Sequence, residues 1–213
     1  PSYNIYIENN TIIHRCGYSG HNLGLGPSAN ILVRNNILIV YLTDTTKFLD
    51  GIRIDGDVTD VAILNNTIFA YNINTSSGHT SIFLRSGIHK NIEIAYNILE
   101  ANSTDIGLIL GSSFISLYNE NLTIHDNLIG NLTEEGPRIC SQLANCYNCS
   151  FYRNVLKGQC LGLISYNYES NNLYVYENIF NNTQLSAESF FYSYGKRIYL
   201  SLIHISEPTR LGM

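Results

Sequence analysis

Apolar and polar residues alternate in short bursts along this chain, and the bursts recur. Asn4-Ile-Tyr-Ile-Glu-Asn-Asn10-Thr-Ile aligns with Asn30-Ile-Leu-Val-Arg-Asn-Asn36-Ile-Leu and Asp60-Val-Ala-Ile-Leu-Asn-Asn66-Thr-Ile. Four more segments follow, starting at Asn91, Asn121, Asn148 and Asn172. With h for an apolar residue, the pattern is Asn-h-x-h-x-x-Asn-x-h. Period-two alternation describes a short strand with one buried face. The second Asn falls at Asn10, Asn36, Asn66, Asn97, Asn127, Asn154 and Asn178, at intervals of 24 to 31 residues. Asn tolerates turn conformations better than most residues, so it is expected to take the turn between two strands.

Another strand precedes each anchor: Leu23-Gly-Leu25, Ile52-Arg-Ile54, Ile82-Phe-Leu84, Leu108-Ile-Leu110, Ile139-Cys-Ser141 and Leu163-Ile-Ser165. Period two puts Gly24, Arg53, Phe83, Ile109, Cys140 and Ile164 outside. Variable loops between the strands absorb the changes in repeat length. A coil this small cannot bury its own inner face, so coils must stack, like residue over like. Asn at one turn of every coil then forms a ladder of side-chain amides. The expected fold is all-β, a right-handed parallel β-helix (solenoid) of about seven coils with 24–31 residues per coil. Leucine-rich repeats need a different consensus, and propellers a longer period.

The repeat predicts one domain over residues 1–199, truncated at both ends. The string from Leu200 to Met213 lacks the repeat and resembles a translated sequencing adapter, so 200–213 reads as a non-native tail.

Composition fits this picture. Asn accounts for 27 of the 213 residues, although it suits neither helix interiors nor ordinary strands. Hydrophobic residues make up 45% and charged residues 14%, which excludes a disordered chain and a coiled coil. The net charge of −5 argues against a nucleic-acid partner, and no apolar run is long enough for a membrane span. The oligomeric state stays open. Five cysteines include Cys146-x-x-Cys149, a zinc or redox spacing without a second pair; small buried side chains are the plainer reading, and no metal site is expected.

The Asn-anchored repeats resemble those of the pectate-lyase-like superfamily over residues 1 to about 199. That resemblance implies an extracellular or cell-surface protein whose partner is a polysaccharide or cell-surface glycan. Phe48-Leu-Asp50-Gly-Ile52 is similar to the Asp-Gly-Ile segment of polygalacturonase-type hydrolases, in which the Asp is catalytic, and Gly78-His79 to their Gly-His element. The adjacent Asp pair of those enzymes is missing, and no Arg-Ile-Lys follows.

The candidate catalytic residues are His21, Asp50, Arg53, Asp55, His79 and Arg85, which stacking would gather on one outer face. A lyase needs a cation for the uronate carboxylate (Arg53 or Arg85) and a base for the adjacent proton (His21 or His79). A hydrolase needs two carboxylates, here Asp50 and Asp55. A surface ladder of ion pairs would use the same residues with no chemistry. Asp55-Gly-Asp57-x-x-Asp60 could hold Ca²⁺, although Asp60 occupies an anchor position. Tyr166, Tyr168, Tyr174 and Tyr176 are candidate sugar-stacking residues, or cover for the outer sheet. The expectation is an extracellular β-helix repeat protein that binds carbohydrate, with no catalysis established. The alternative is a polysaccharide lyase or glycoside hydrolase acting on a uronic-acid-containing polysaccharide.

Overall fold

The computed structural model describes residues 2–17, 20–42, 49–72, 79–101, 106–110, 117–130, 139–157, 161–166, 171–181, 198–201 and 204–206. All regular structure among them is β-strand, paired in parallel throughout, and the chain is a parallel β-solenoid. Each coil contributes to three faces. The first face holds Ser2–Glu8, Ser28–Arg34, Val58–Leu64, the second half of His79–Ala95, Leu117–His125, Cys146–Tyr152, Asn171–Tyr176 and Ile198–Ser201. The second runs in step from Thr11–Cys16 through Ile37–Leu42 to Ile179–Asn181 and His204–Ser206. The third contains Gly20–Leu25, Leu49–Asp55, the first half of His79–Ala95, Ile106–Leu110, Ile139–Ala144 and Leu161–Tyr166. The long strand His79–Ala95 runs through the first and third faces and joins them into one 13-stranded sheet.

The anchors stack in register, and their apolar positions form inward columns. Ile31, Val61, Ile92, Leu122, Cys149 and Leu173 make one such column on the first face, each at most 2% exposed. Leu38, Ile68, Leu99, Ile129, Leu156 and Phe180 make another on the second. Burying each such side chain stabilises the stack by about 1.5–3 kcal/mol before entropy is counted. Volume is balanced within a coil. The sixth anchor sets small Cys149 two residues from large Phe151, both facing in, where its neighbours carry two aliphatics of middle size.

The seven anchor Asn side chains form the expected ladder. Nδ2 of each donates to Oδ1 of the next: Asn10 to Asn36 at 3.1 Å, Asn36 to Asn66 at 2.9 Å, and so on through Asn97, Asn127 and Asn154 to Asn178. The backbone N–H of each also donates to that same oxygen. Nδ2 of Asn66 bonds in addition the carbonyls of Leu64 and, one coil back, Val33. From Asn36 to Asn178 the ladder residues are at most 1% exposed, so each amide closes polar groups that water cannot reach.

One expectation is corrected. The ladder Asn does not itself take the left-handed turn; the residue before it does. Asn9, Asn35, Asn65, Tyr96, Asp126, Arg153 and Glu177 have φ between +50° and +60°. The first Asn of each anchor is left-handed too, from Asn4 at +58° to Asn172 at +63°, and includes Asp60 at +56°. This left-handed residue, present in both paired strands, turns the chain so that residues three apart, such as Cys146 and Cys149, both face inward. It also aligns an exposed outer ladder: Asn30 donates to Asn4, Asn121 to Asn91 and Asn172 to Asn148. Asp60 accepts from Asn91 at 2.9 Å but has no amide to donate towards Asn30.

A second correction concerns register on the third face. Gln142, not Cys140, stands between Ile109 and Ile164, because Leu108 pairs with Ser141 and Leu110 with Leu143. Cys140 is two residues out of that row. Past residue 199, Leu200 pairs with Val175 and Ile205 with Phe180. An exposed sheet edge templates any short alternating strand, so this pairing does not bear on the origin of the segment.

Candidate functional site

Gly51 decides how the Asp-Gly-Ile segment is used. A Cβ there would clash with Ile68 Cγ2 in the core and lie 2.6 Å from the Ser81 carbonyl oxygen. Gly51 therefore turns its bare side to the interior, next to Ile52, which is fully buried. Two successive inward positions break the alternation and leave Asp50 and Arg53 outside together. Arg53 Nη1 lies 3.8 Å from Asp50 Oδ2, and Nε donates to Asp55 Oδ2 at 2.7 Å. The register then slips: Ile54 faces Leu84 but Asp55 faces Ser86, so Arg85 is the extra residue of a bulge. Arg85 Nη1 is 3.9 Å from Asp55 Oδ1, and Ser86 Oγ donates to that oxygen at 3.5 Å.

Asp50, Arg53, Asp55 and Arg85 are thus gathered in a row of alternating charge across two coils. His21 flanks it, paired with Asp50 in the preceding coil, its imidazole lying over Gly24 where a Cβ would meet the ring. His79 is less well placed: it pairs with Leu49, one residue short of the Asp50 row, and its side chain is outside the described residues.

Exposure divides the row. Asp50 is 3% exposed, whereas Arg85 and Asp55 side chains are about half open at 50% and 42%. Burial raises the Asp50 carboxyl to about 7; Arg53 opposes that shift and Asp55 adds to it. A carboxylic acid that changes protonation near neutrality can donate as well as accept a proton. The guanidinium groups offer planar donors matched to a carboxylate.

The other candidates are dispersed. Tyr176 stacks on Tyr152 at 4.7 Å and 2°, and Tyr152 on His125 at 4.9 Å and 7°. These rings spend their faces on one another, as an outer-sheet cover does. Tyr174 is 37% exposed, two residues from Tyr176. The side chain of Tyr166 and all of Tyr168 lie outside the described residues. Cys146 and Cys149 are buried thiols, with the Cys146 thiol held well above the ordinary range by its hydrogen bond to Cys149 and by burial. No group of three or more His, Cys, Asp and Glu among the described residues is placed to hold a metal ion. The acidic run is otherwise engaged: Asp57 accepts from the Ile88 N–H and Asp60 from Asn91.

One cluster escaped the sequence reading. On the outer first face, His125 Nδ1 is 2.7 Å from Asp126 Oδ2 and Nε2 is 3.0 Å from Glu93 Oε1. Arg153 bonds both oxygens of Asp126, at 2.9 and 2.6 Å, and lies over Tyr152. Arg153 and His125 together hold the Asp126 carboxyl down to about 2. Aligning the fifth residue of each anchor would have found the column, since it runs Ala95, His125, Tyr152, Tyr176.

No helix of the described residues is long and apolar enough to cross a membrane, which says nothing about strands. Comparison of the chain with protein-family models, with curated proteins and with solved structures finds no match.

Proposed function

We propose that this β-solenoid is an extracellular or cell-surface protein that binds a uronic-acid-containing polysaccharide along the outer third face. The observation that carries the reading is the row Asp50–Arg53–Asp55–Arg85, in which the Asp55 carboxylate and the Arg85 guanidinium of the next coil are about half exposed. Surface ion pairs contribute little to stability, and an isolated buried carboxylate costs some, so stability alone gives the row no purpose. Guanidinium groups pair with uronate carboxylates, and carboxylates accept from sugar hydroxyls. The resemblance of the anchors to the pectate-lyase-like superfamily supports the same class of partner.

Calorimetry against oligomers of polygalacturonate, alginate and glycosaminoglycan tests the proposal. Binding of one class, weakened about tenfold by Arg85→Ala and by Arg53→Ala, is the expected outcome. Absence of binding to all three at millimolar oligomer overturns it.

A second reading, cleavage, is favoured by one observation: the buried Asp50 carboxyl, raised to about 7, sits beside Arg53. In that reading Asp50 is a general acid, Asp55 the second carboxylate, Arg53 or Arg85 the partner of the uronate and His21 the base of a lyase. Release of reducing ends or of ultraviolet-absorbing unsaturated uronides, lost in Asp50→Asn, supports cleavage. Binding without either product leaves the protein a lectin-like solenoid.

A further inference from the structure

The charged row of the third face is balanced only while all of its members are ionised. Arg53 and Arg85 supply two positive charges, and Asp50 and Asp55 two negative ones. The two carboxyls are not equivalent. The Asp55 side chain is 42% exposed, so water shares its charge with Arg53, whereas that of Asp50 is 4% exposed. Asp50 lies at the base of the row because Gly51 turns its bare side to the core. Its ion-pair partner is Arg53 Nη1 at 3.8 Å, beyond hydrogen-bond reach, and Nε of the same guanidinium is already 2.7 Å from Asp55. A shared guanidinium at that distance neutralises a buried carboxylate poorly. Burial therefore favours the neutral acid and holds the group at about 7.

The strands packed around Asp50 place few other ionisable groups towards it. His21 on the preceding strand pairs with Asp50 in backbone register, and its ring lies over Gly24. Thr80 on the following strand is buried beside Asp50 and uncharged. Arg85 stands against Asp55, and the side chain of His79 is outside the described residues. Behind the third face, Tyr41 and Tyr71 stack on each other at the outside of the second face, away from the row.

We propose that Asp50 is a proton switch on uronate binding: protonated, it leaves Arg53 to the ligand carboxylate; ionised, it holds Arg53 and repels that carboxylate. The switch rests on the uronate-binding reading of this face and adds its regulation. Protonation of Asp50 turns a neutral row into one of net charge +1. A released guanidinium and a removed negative charge act in the same direction on an anionic sugar. A uronate carboxyl, with an ordinary value of about 3–4, stays ionised between pH 5.5 and 8, so only the face changes. Affinity is therefore full at low pH and falls as pH rises through 7. By the same linkage, bound uronate draws a proton onto Asp50. A ligand that needs the protonated form binds about tenfold more weakly at pH 8 than at pH 5.5.

Calorimetry of the full chain against the polygalacturonate, alginate and glycosaminoglycan oligomers, repeated at pH 5.5, 7 and 8, tests the switch. The expected dissociation constant is about tenfold larger at pH 8 than at pH 5.5. Binding at pH 7 should take up about half a proton per site, read from buffers of different ionisation enthalpy. Asp50→Asn, neutral at every pH, should keep the low-pH affinity at pH 8 and take up no proton. Histidine also binds protons, so His21→Gln is the control, and it should follow the native pH profile. Binding that is indifferent to pH, that strengthens as pH rises, or that keeps its pH dependence in Asp50→Asn overturns the switch and leaves uronate binding standing. Absence of binding at all three pH values overturns the reading of the face, and the switch with it.

Discussion

Two neighbouring positions on the same turn behave differently. The ladder position is Asn in all seven anchors, and the position just before it begins as Asn9, Asn35 and Asn65 and then becomes Tyr96, Asp126, Arg153 and Glu177. Both lie at the same corner of the solenoid, but only the second is left-handed. The ladder demands a side chain that donates and accepts at once in a place closed to water. No other side chain of that size does both in the same plane. The left-handed turn demands only a backbone angle, which a residue other than Gly or Asn adopts at about 1–2 kcal/mol. Buried hydrogen bonding therefore selects a residue, while backbone conformation merely taxes one. The position so released turns to surface chemistry, as when left-handed Asp126 and Arg153 form a two-pronged ion pair across adjacent coils.

Breaking the ladder should have the largest effect. Asn97 Oδ1 accepts from the Asn66 N–H and Nδ2, and Asn97 Nδ2 reaches Ile63, Ala95 and Asn127. Asn97→Ala orphans several buried groups at about 1–3 kcal/mol each, partly relieved by water. A loss of about 3–4 kcal/mol in urea unfolding is expected. Asn35→Ala, one position earlier in its own coil and exposed, should lose well under half of that. Equal losses at the two sites would erase the distinction.

Asp50 is the converse of a ladder residue: buried and polar, but unrepeated. Its folded carboxyl is raised to about 7 from the ordinary 3.8, so it prefers its proton when folded. The stability this contributes is complete below about pH 4 and is lost as pH rises through 7. Asp50→Asn, which is neutral throughout, should therefore match the native chain at pH 3.5 and exceed it by on the order of 2 kcal/mol at pH 8. A variant equally stable or weaker at pH 8 would mean that Arg53 neutralises the carboxylate more fully than burial penalises it.

Asp126 has the opposite sign. Bonds from Arg153 and His125 hold its carboxyl at about 2, so its contribution is present above the ordinary 3.8 and disappears as pH falls through 2. The pair is partly open to solvent, which limits the effect to about 1 kcal/mol. Urea midpoints of the native chain should fall between pH 5 and pH 2 by more than those of Asp126→Asn. A drop of equal size in the variant would assign the acid sensitivity elsewhere.

The same contrast explains what could be read from the sequence. Ladder, strands and inward columns were legible because each coil repeats their chemistry, and repetition survives variable loops. The grouping of Asp55 with Arg53 was legible from strand alternation, and with Arg85 from stacking. The left-handed residue was misplaced by one position, because Asn-Asn pairs hide which member turns. The burial of Asp50 was invisible, since it depends on Gly51 meeting Ile68 and Ser81 from neighbouring strands. The Glu93–His125–Asp126–Arg153 cluster was missed because it is not repeated, although the aligned anchors already placed His125 over Tyr152.

The smallest effect tests the tax itself. Glu177 is left-handed at +54° and exposed. Glu177→Asn restores the residue type of the first three coils, and should raise stability by about 0.5–1 kcal/mol. Arg153→Asn makes the same conformational gain at +50° but gives up both bonds to Asp126, so its net change should be smaller or negative. Thermal unfolding of the two single variants reads each term, and their combination reads the coupling between them, because these positions are neighbours in adjacent coils, where Asn35 donates to Asn9 and Asn65 to Asn35. Stabilisation by Glu177→Asn but not by Arg153→Asn would mean that the late coils exchange turn preference for ion pairing. Stabilisation by neither would mean that stacking of the coils, rather than residue type, holds the left-handed angle.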